Sequence, residues 1–175
     1  MGHRGVCDAD NQFVEMSVFN GFVKQGGFYE WQENDEITID EDVIYLGYFF
    51  SHWGHFLVDL SVRYWAIPGL NNNLIKVAYI GEEDISGNYL EFLKLLGVDE
   101  TQVMHITTPT RFKNVYIPEQ SFRSCQWYTK EYVNMFDVVI QKALSSDLKI
   151  DEFKNVKRLY FTRMNYNKAK KIGIR

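Results

Sequence analysis

The sequence predicts an α/β domain with a mostly parallel sheet and helices on both faces. Short runs of β-branched and aromatic residues alternate with segments whose apolar residues recur every three or four positions. The resulting order, β-α-β-α-β-β-α-β, is typical of parallel strands joined by crossover helices. The chain has 175 residues, of which 46% are hydrophobic and 16% aromatic. This is enough for one domain with a substantial core.

Each predicted element follows from a local pattern. Residues 13–34 alternate loosely and contain glycines where hairpin turns need them, which predicts short strands or an irregular lead-in. Residues 34–42 are acidic and predict a connector. The predicted strands are residues 42–47, 74–81, 102–107, 112–118 and 156–162, and the predicted helices are residues 53–66, 88–97 and 128–144. The stretch 67–73 ends the first helix, and Gly97 ends the second.

The first predicted helix combines an apolar face with a polar one. At about 100° per residue, the polar face carries His52, His55, Asp59 and Arg63, and the apolar face carries Trp53, Leu57, Leu60 and Tyr64. Burying the polar groups unpaired would cost several kcal/mol, so we expect them to pair or to face a cleft. The helix follows a strand, where open α/β sheets bind ligands. An Asp59–Arg63 surface pair and a His55 satisfied by a carbonyl are the structural alternatives.

Two motifs carry a family resemblance. The first is Ser51-His-Trp-Gly-His-Phe-Leu-Val-Asp59 followed by Arg63-Tyr-Trp65, and the second is Val156-Lys-Arg-Leu-Tyr-Phe-Thr-Arg163. In this order they resemble the signature helix and the hydrophobic, Ser/Thr-Arg-ending strand of glycosyltransferase family 61. That family includes bacterial capsular-polysaccharide biosynthesis enzymes. The resemblance spans residues 40–165, and His55 and Asp59 fall on its matching positions.

The resemblance implies the N-terminal, Rossmann-like half of a GT-B glycosyltransferase. Residues 1–155 would form the acceptor-side domain, and residues 156–175 would begin a donor-binding domain that is otherwise missing, so we expect the fragment to be inactive alone. The implied reaction is the inverting transfer of a sugar from a nucleotide donor to a polysaccharide or glycan acceptor. It implies neither a metal nor a cofactor.

The implied reaction assigns roles to individual residues. Glycosyl transfer needs a base for the acceptor hydroxyl, positive charge for the departing diphosphate and a cleft that aligns them. An imidazole titrates near neutrality, so His55 held by Asp59 is a suitable base; alternatively, Asp59 is the base and His55 orients the acceptor. Arg163, at a strand end, has the guanidinium fork that binds phosphate, or it is a surface residue. The further predicted substrate contacts are His52, Arg63 and Trp53.

Composition restricts the partners and the compartment. A net charge of −4 argues against nucleic acid as a main partner. Cys7 and Cys125 have neither metal nor redox spacing, which fits a reducing compartment. The first residues lack the apolar core of a signal peptide, and no run of about eighteen apolar residues occurs. We therefore expect a cytoplasmic protein. Peripheral membrane association and self-association through the face of the missing domain are further expectations.

Three rival interpretations use the same residues. His55 and Asp59 match the His-x-x-x-Asp pattern of coenzyme-A-dependent acyltransferases, although Leu60 stands where those enzymes usually have glycine. His52, His55 and Asp59 could supply three metal ligands from one helix. A transferase remnant that only binds a glycan or a partner chain is the non-enzymatic alternative. Elsewhere, His105 lies in an apolar run and is predicted to be a satisfied strand residue.

Overall fold

A computed structural model describes residues 5–20, 24–25, 36–70 and 75–145. Its centre is a four-stranded sheet in which all neighbouring strands are parallel. The strands are β1 (Phe19–Asn20), β2 (Lys24–Gln25), β3 (Ile37–Phe49), β4 (Lys76–Gly81), β5 (Val103–His105), β6 (Thr110–Tyr116), β7 (Phe122–Arg123) and β8 (Trp127–Tyr128). The sheet order is β5-β4-β3-β6, while β1 pairs with β2 and β7 pairs with β8 as small antiparallel ribbons.

The central strand β3 is longer than the sequence predicted. Its second half is buried on both faces, as the continuous apolar run at residues 43–46 indicates. Its first half, expected to be an acidic connector, is also strand because β6 pairs with it from Ile37 onward. Two of its acidic side chains are partly exposed and bind partners on neighbouring strands. Glu41 forms an ion pair with Lys76 at 2.7 Å, and Asp42 accepts a hydrogen bond from Asn114 at 2.7 Å.

An irregularity in β3 sets which side chains face the core. The pairing with β4 shifts register between Tyr45 and Gly47, and Gly47 has a φ of 103°. Beyond this shift the inward-facing positions change from even to odd numbers, so Phe49 joins Ile44 and Leu46 in the same core. The chain therefore leaves β3 on the core side of the sheet, just before the helical segment at residues 53–66.

The helical segments differ in their hydrogen-bond pattern. They are a 3₁₀ turn at Glu15–Ser17, α1 (Trp53–His55), a π turn at Phe56–Leu60, 3₁₀ turns at Ser61–Ala66, Pro68–Leu70 and Glu100–Gln102, α2 (Asn88–Leu96) and α3 (Lys130–Ser145). Residues 53–66 thus form one helical segment of three types, which we call the mixed helix. The sequence predicted a regular helix there. Gly97 ends α2 with a φ of 100°, as its position predicted.

The main core lies between one face of the sheet and the helices. Its members from the sheet, the mixed helix, α2 and α3 include Ile44, Leu46, Phe49, Val77, Tyr79, Phe56, Leu60, Tyr64, Phe92, Leu93, Leu96 and Met135. Within the described ranges, the mixed helix, α2 and α3 all contribute to this one core. The α/β class and the parallel sheet are confirmed, but these three helices pack on one face of the sheet and not on both faces as predicted. The predicted strand at 156–162 and the second domain at 156–175 lie outside the described residues.

The opposite face of the sheet lines a cavity of about 640 Å³. Val43 and Tyr45 of β3 and Ala78 and Ile80 of β4 alternate with the core residues and form part of its wall. The N-terminal segment, including Val6, covers another part. None of its lining residues comes from the mixed helix, so this cavity is separate from the predicted site.

Candidate active site

The mixed helix begins where the central strands end. β3 ends at Phe49 and is paired there with Gly81, the last residue of β4. A Cβ atom on Gly81 would clash with the carbonyl oxygen of Phe49, so only glycine allows the two strands to approach this closely. His52 then starts the helix: its backbone is extended, and its ring accepts a hydrogen bond from the N–H of His55 at 3.4 Å. This position is the carboxyl edge of the parallel sheet, as predicted.

The π turn is held by hydroxyl groups. The N–H of Ser61 donates to the carbonyl of Phe56, five residues earlier. The carbonyl of Leu57 accepts hydrogen bonds from the Ser61 hydroxyl at 2.9 Å and from the Tyr132 hydroxyl, on α3, at 2.7 Å. Burial, with a further contribution from Asp59, raises the pKa of Tyr132 to about 12. The phenol therefore keeps its proton at neutral pH and donates the hydrogen bond to Leu57. Neither Ser61 nor Tyr132 was predicted from the sequence to support the site.

His55 and Asp59 form a hydrogen-bonded pair. The Nδ1 atom of His55 lies 2.6 Å from Oδ2 of Asp59. The side chain of Asp59 is 6% exposed, whereas that of His55 is 41% exposed. No residue in the described ranges hydrogen-bonds to Nε2 of His55. A buried acceptor on Nδ1 favours the tautomer that carries its proton there, so Nε2 carries the lone pair of the neutral ring.

Aromatic rings surround the exposed imidazole. The His52 and Phe50 rings lie 4.5 Å and 5.7 Å from the His55 ring. Trp53 stacks on the buried ring of Phe56 at 5.4 Å and remains 41% exposed. The structure therefore brings two of the predicted residues, His52 and His55, together at a partly open surface, with Asp59 buried beneath His55. Trp53 packs against Phe56 and Tyr89 instead.

Arg63 does not share this surface, which corrects its prediction as a substrate contact. It is 1% exposed, and its Nε donates to the carbonyl of Pro118 at 3.1 Å. Its Nη2 donates to the carbonyls of Met16 at 2.6 Å and Val18 at 2.9 Å. The π and 3₁₀ turns depart from 100° per residue, so the fourth residue after Asp59 points inward. Burial lowers the pKa of Arg63, but a guanidinium still keeps its charge at neutral pH.

A second histidine–carboxylate pair lies at the ends of β4 and β5. Nδ1 of His105 is 2.8 Å from Oδ1 of Asp84, and its Nε2 is 3.0 Å from the carbonyl oxygen of Gly81. The ring stacks on Tyr79 at 4.7 Å. Both ring nitrogens are therefore occupied, in agreement with the prediction of a satisfied strand residue. Asp84 was not predicted as its partner.

Carboxylates also lie at this edge of the sheet. Partial burial, with further contributions from Glu82 and Glu83, raises the pKa of Tyr48. The Tyr48 ring lies 6.2 Å from that of Phe50, which in turn contacts His55. An edge with these carboxylates favours neutral or cationic ligands over anionic ones. Arg163, predicted to bind phosphate, lies outside the described residues.

Among the residues that the structure describes, no group of three or more His, Cys, Asp or Glu could hold a metal ion, including His52, His55 and Asp59. No helix in the described part of the chain has the length and apolarity to cross a membrane.

Comparison with protein-family models, curated proteins and solved structures found no match. Function is therefore inferred from the residues themselves.

Proposed function

We propose that this domain takes part in transferring a sugar from a nucleotide donor to a hydroxyl group of a glycan acceptor, with His55 as the general base. The hydrogen bond between exposed His55 and buried Asp59 is the observation that carries the proposal. A base must reach substrate, and His55 is 41% exposed, whereas Asp59 is 6% exposed and engaged with the imidazole. This contrast favours His55 over Asp59 as the base.

The proposed step uses the free Nε2 lone pair of His55. The acceptor hydroxyl gives its proton to Nε2 as its oxygen bonds to the anomeric carbon of the donor sugar. The bond from that carbon to the diphosphate breaks, and the nucleoside diphosphate leaves with the electron pair. Asp59 accepts the hydrogen bond from Nδ1 throughout and stabilises the imidazolium that forms.

The surroundings of His55 support an acceptor site. Trp53, two residues before His55 in the chain, is partly exposed and offers apolar ring surface to the C–H face of a sugar. Glu82 and Glu83 near Tyr48 disfavour a diphosphate at this edge, so the donor phosphates require cations from elsewhere. We assign that role to Arg163. The Rossmann-like GT-B architecture, the membership of family 61 and the action on surface polysaccharide at the cytoplasmic side belong to this proposal and rest on the resemblance of the two motifs.

A transfer assay with matched variants tests the proposal. The chain is incubated with nucleotide sugars and saccharide acceptors, both alone and joined to a GT-B donor-binding domain, because we expect it to be inactive alone. Product is measured by mass spectrometry. We expect His55→Ala and Asp59→Asn each to lower the rate by about 10²-fold or more. Glu91→Gln, which changes an exposed carboxylate paired with Lys94 at 3.0 Å, should leave it unchanged.

Three outcomes contradict the proposal in different ways. Turnover that survives both substitutions removes His55 and Asp59 from the reaction. Turnover with acyl-coenzyme A donors but not with nucleotide sugars replaces glycosyl transfer by acyl transfer through the same base. Absence of turnover with every donor, together with saturable glycan binding, favours the non-catalytic remnant.

A further inference from the structure

A second surface feature lies beside the β7–β8 ribbon. It is a depression of about 290 Å³ lined by Glu15, Met16, Val18, Glu119, Gln120 and Trp127. We propose that this Trp127 depression binds one neutral saccharide unit, stacked against the indole of Trp127. None of these residues was singled out from the sequence, because they come from three separate parts of the chain.

The walls of the depression are held in place by buried contacts. Arg63 donates hydrogen bonds to the carbonyls of Met16 and Val18 in one wall and of Pro118 beside the other. Gln120 Nε2 also donates to the Val18 carbonyl at 3.1 Å, which ties the two walls together. A site whose backbone is fixed before binding loses little entropy when a ligand enters. This gives the buried charge of Arg63 a positioning role.

A further contact fixes the second wall to the mixed helix. The indole Nε1 of Trp65 donates to the carbonyl of Glu119 at 2.9 Å. The next residues are anchored as well, because the N–H and hydroxyl of Ser121 donate to the Val62 carbonyl at 3.0 and 2.7 Å. The mixed helix therefore supports both the His55–Asp59 pair and the Trp127 depression.

The chemistry of the lining selects the ligand. Trp127 is 44% exposed, so its ring can pack against the C–H face of a sugar. Glu15 and Glu119 provide carboxylate oxygens, and Gln120 an amide oxygen, which accept hydrogen bonds from sugar hydroxyls. The described lining contains two carboxylates and no cation; Arg123, opposite Trp127 in the ribbon, is not part of it. An acidic sugar would therefore be repelled.

The volume is suited to a single sugar unit. Pockets for drug-sized ligands occupy about 300–1,000 Å³, so a depression of about 290 Å³ accommodates a smaller molecule. The identification of this sugar as part of the acceptor glycan rests on the proposed function. Binding of the sugar itself requires neither turnover nor His55.

Saturation-transfer NMR with defined sugars tests the inference. The full chain is titrated separately with glucose, galactose, N-acetylglucosamine, xylose and glucuronate. We expect saturable binding of at least one neutral sugar with a dissociation constant of roughly millimolar size, and at least about tenfold weaker binding of glucuronate. Trp127→Ala should remove the binding at this depression and leave only binding at the acceptor site beside His55. Tyr128→Ala, which removes the neighbouring aromatic ring that is 69% exposed, should not.

Two further variants separate the possible results. Glu119→Gln should reduce the discrimination against glucuronate, because it removes one of the two negative charges. His55→Ala should leave binding at the Trp127 depression unchanged, so loss of turnover with this binding intact concerns only the catalytic proposal. The inference is overturned if no neutral sugar binds saturably, or if Trp127→Ala binds as well as the unmodified chain.

Discussion

The Nδ1 atom of His55 lies 2.6 Å from Oδ2 of Asp59 across the junction of an α turn and a π turn. The contact combines a buried acceptor with a ring that reaches the surface. Asp59 can therefore fix the imidazole tautomer while His55 remains accessible to a substrate hydroxyl.

The tautomer of His55 can be observed directly. Because Asp59 accepts from Nδ1, we expect the neutral ring to carry its proton on Nδ1. Two-dimensional ¹⁵N–¹H NMR of the histidine rings should show this tautomer in the unmodified chain and in Glu91→Gln, the exposed carboxylate control. Asp59→Asn should reduce it. Finding the neutral ring protonated on Nε2 in the unmodified chain would contradict the geometry.

Arg63 should contribute strongly to stability. Arg63→Met leaves the carbonyls of Met16 and Pro118 without their guanidinium donor, whereas the Val18 carbonyl keeps the hydrogen bond from Gln120. Each unsatisfied buried group costs about 1–3 kcal/mol, so we expect the free energy of unfolding in urea to fall by at least about 2 kcal/mol. Arg123→Met, at an exposed arginine, should change it by less than about 0.5 kcal/mol. Equal stability of the two variants would refute the structural role of Arg63.

Two glycines provide a matched test of the strand ends. Gly81→Ala brings a methyl group against the backbone oxygen of Phe49, whereas a Cβ atom on Gly69 meets nothing within 4 Å. We expect Gly81→Ala to lower the free energy of unfolding by at least about 2 kcal/mol and Gly69→Ala to change it by less than about 0.5 kcal/mol. Urea unfolding measures both. A stable Gly81→Ala variant would show that β3 and β4 can separate at this edge without cost.

Stability should decline at alkaline pH, in part through Tyr132. Its pKa is raised from an ordinary value near 10 to about 12 in the folded chain. The unfolded chain therefore releases this proton first, so the contribution is complete below pH 10 and is lost as the pH rises toward about 12. Urea unfolding across this range should show the decline.

Substitution of the phenols identifies the groups responsible. Tyr132→Phe should reduce the slope of stability against pH, and it should also remove the hydrogen bond to the Leu57 carbonyl. Part of the slope should remain, because burial also raises the pKa of Tyr64 and Tyr79. Tyr128→Phe, at a residue that is 69% exposed, should retain the original slope. A Tyr132→Phe slope equal to that of the unmodified chain would exclude Tyr132 as a contributor.

The sequence predicted those elements whose cause is local. The apolar run that ends at Gly81 was predicted as a strand and is β4, and the amphipathic segment before Gly97 was predicted as a helix and is α2. Both could be predicted because strand burial and helix termination depend on neighbouring residues. The first half of β3 was missed because its partner strand, β6, lies far along the chain. The placement of β6 next to β3 is likewise a long-range pairing that no local pattern indicates.

In the candidate site, too, only the local contacts could be predicted from the sequence. The spacing of His55 and Asp59 suffices to bring them together, since residues four apart meet on a helical surface. The π turn could not be foreseen, because one of its supporting hydroxyls belongs to Tyr132, on another helix. Arg63 was consequently placed on the wrong side. The Trp127 depression also requires tertiary structure, since its walls meet only after folding.

Because of the π turn, the length of the segment between His55 and Arg63 matters more to the structure than the identity of the residues in it. Val58 is 41% exposed, so replacing its side chain should disturb little. Deleting it would instead rotate every later side chain by about 100° relative to those before it. The guanidinium of Arg63 would then leave its three carbonyls, and the imidazole would lose its carboxylate. Homologous chains that keep both the His55–Asp59 pair and the Arg63 hydrogen bonds should therefore conserve the length of this segment even where its residues differ.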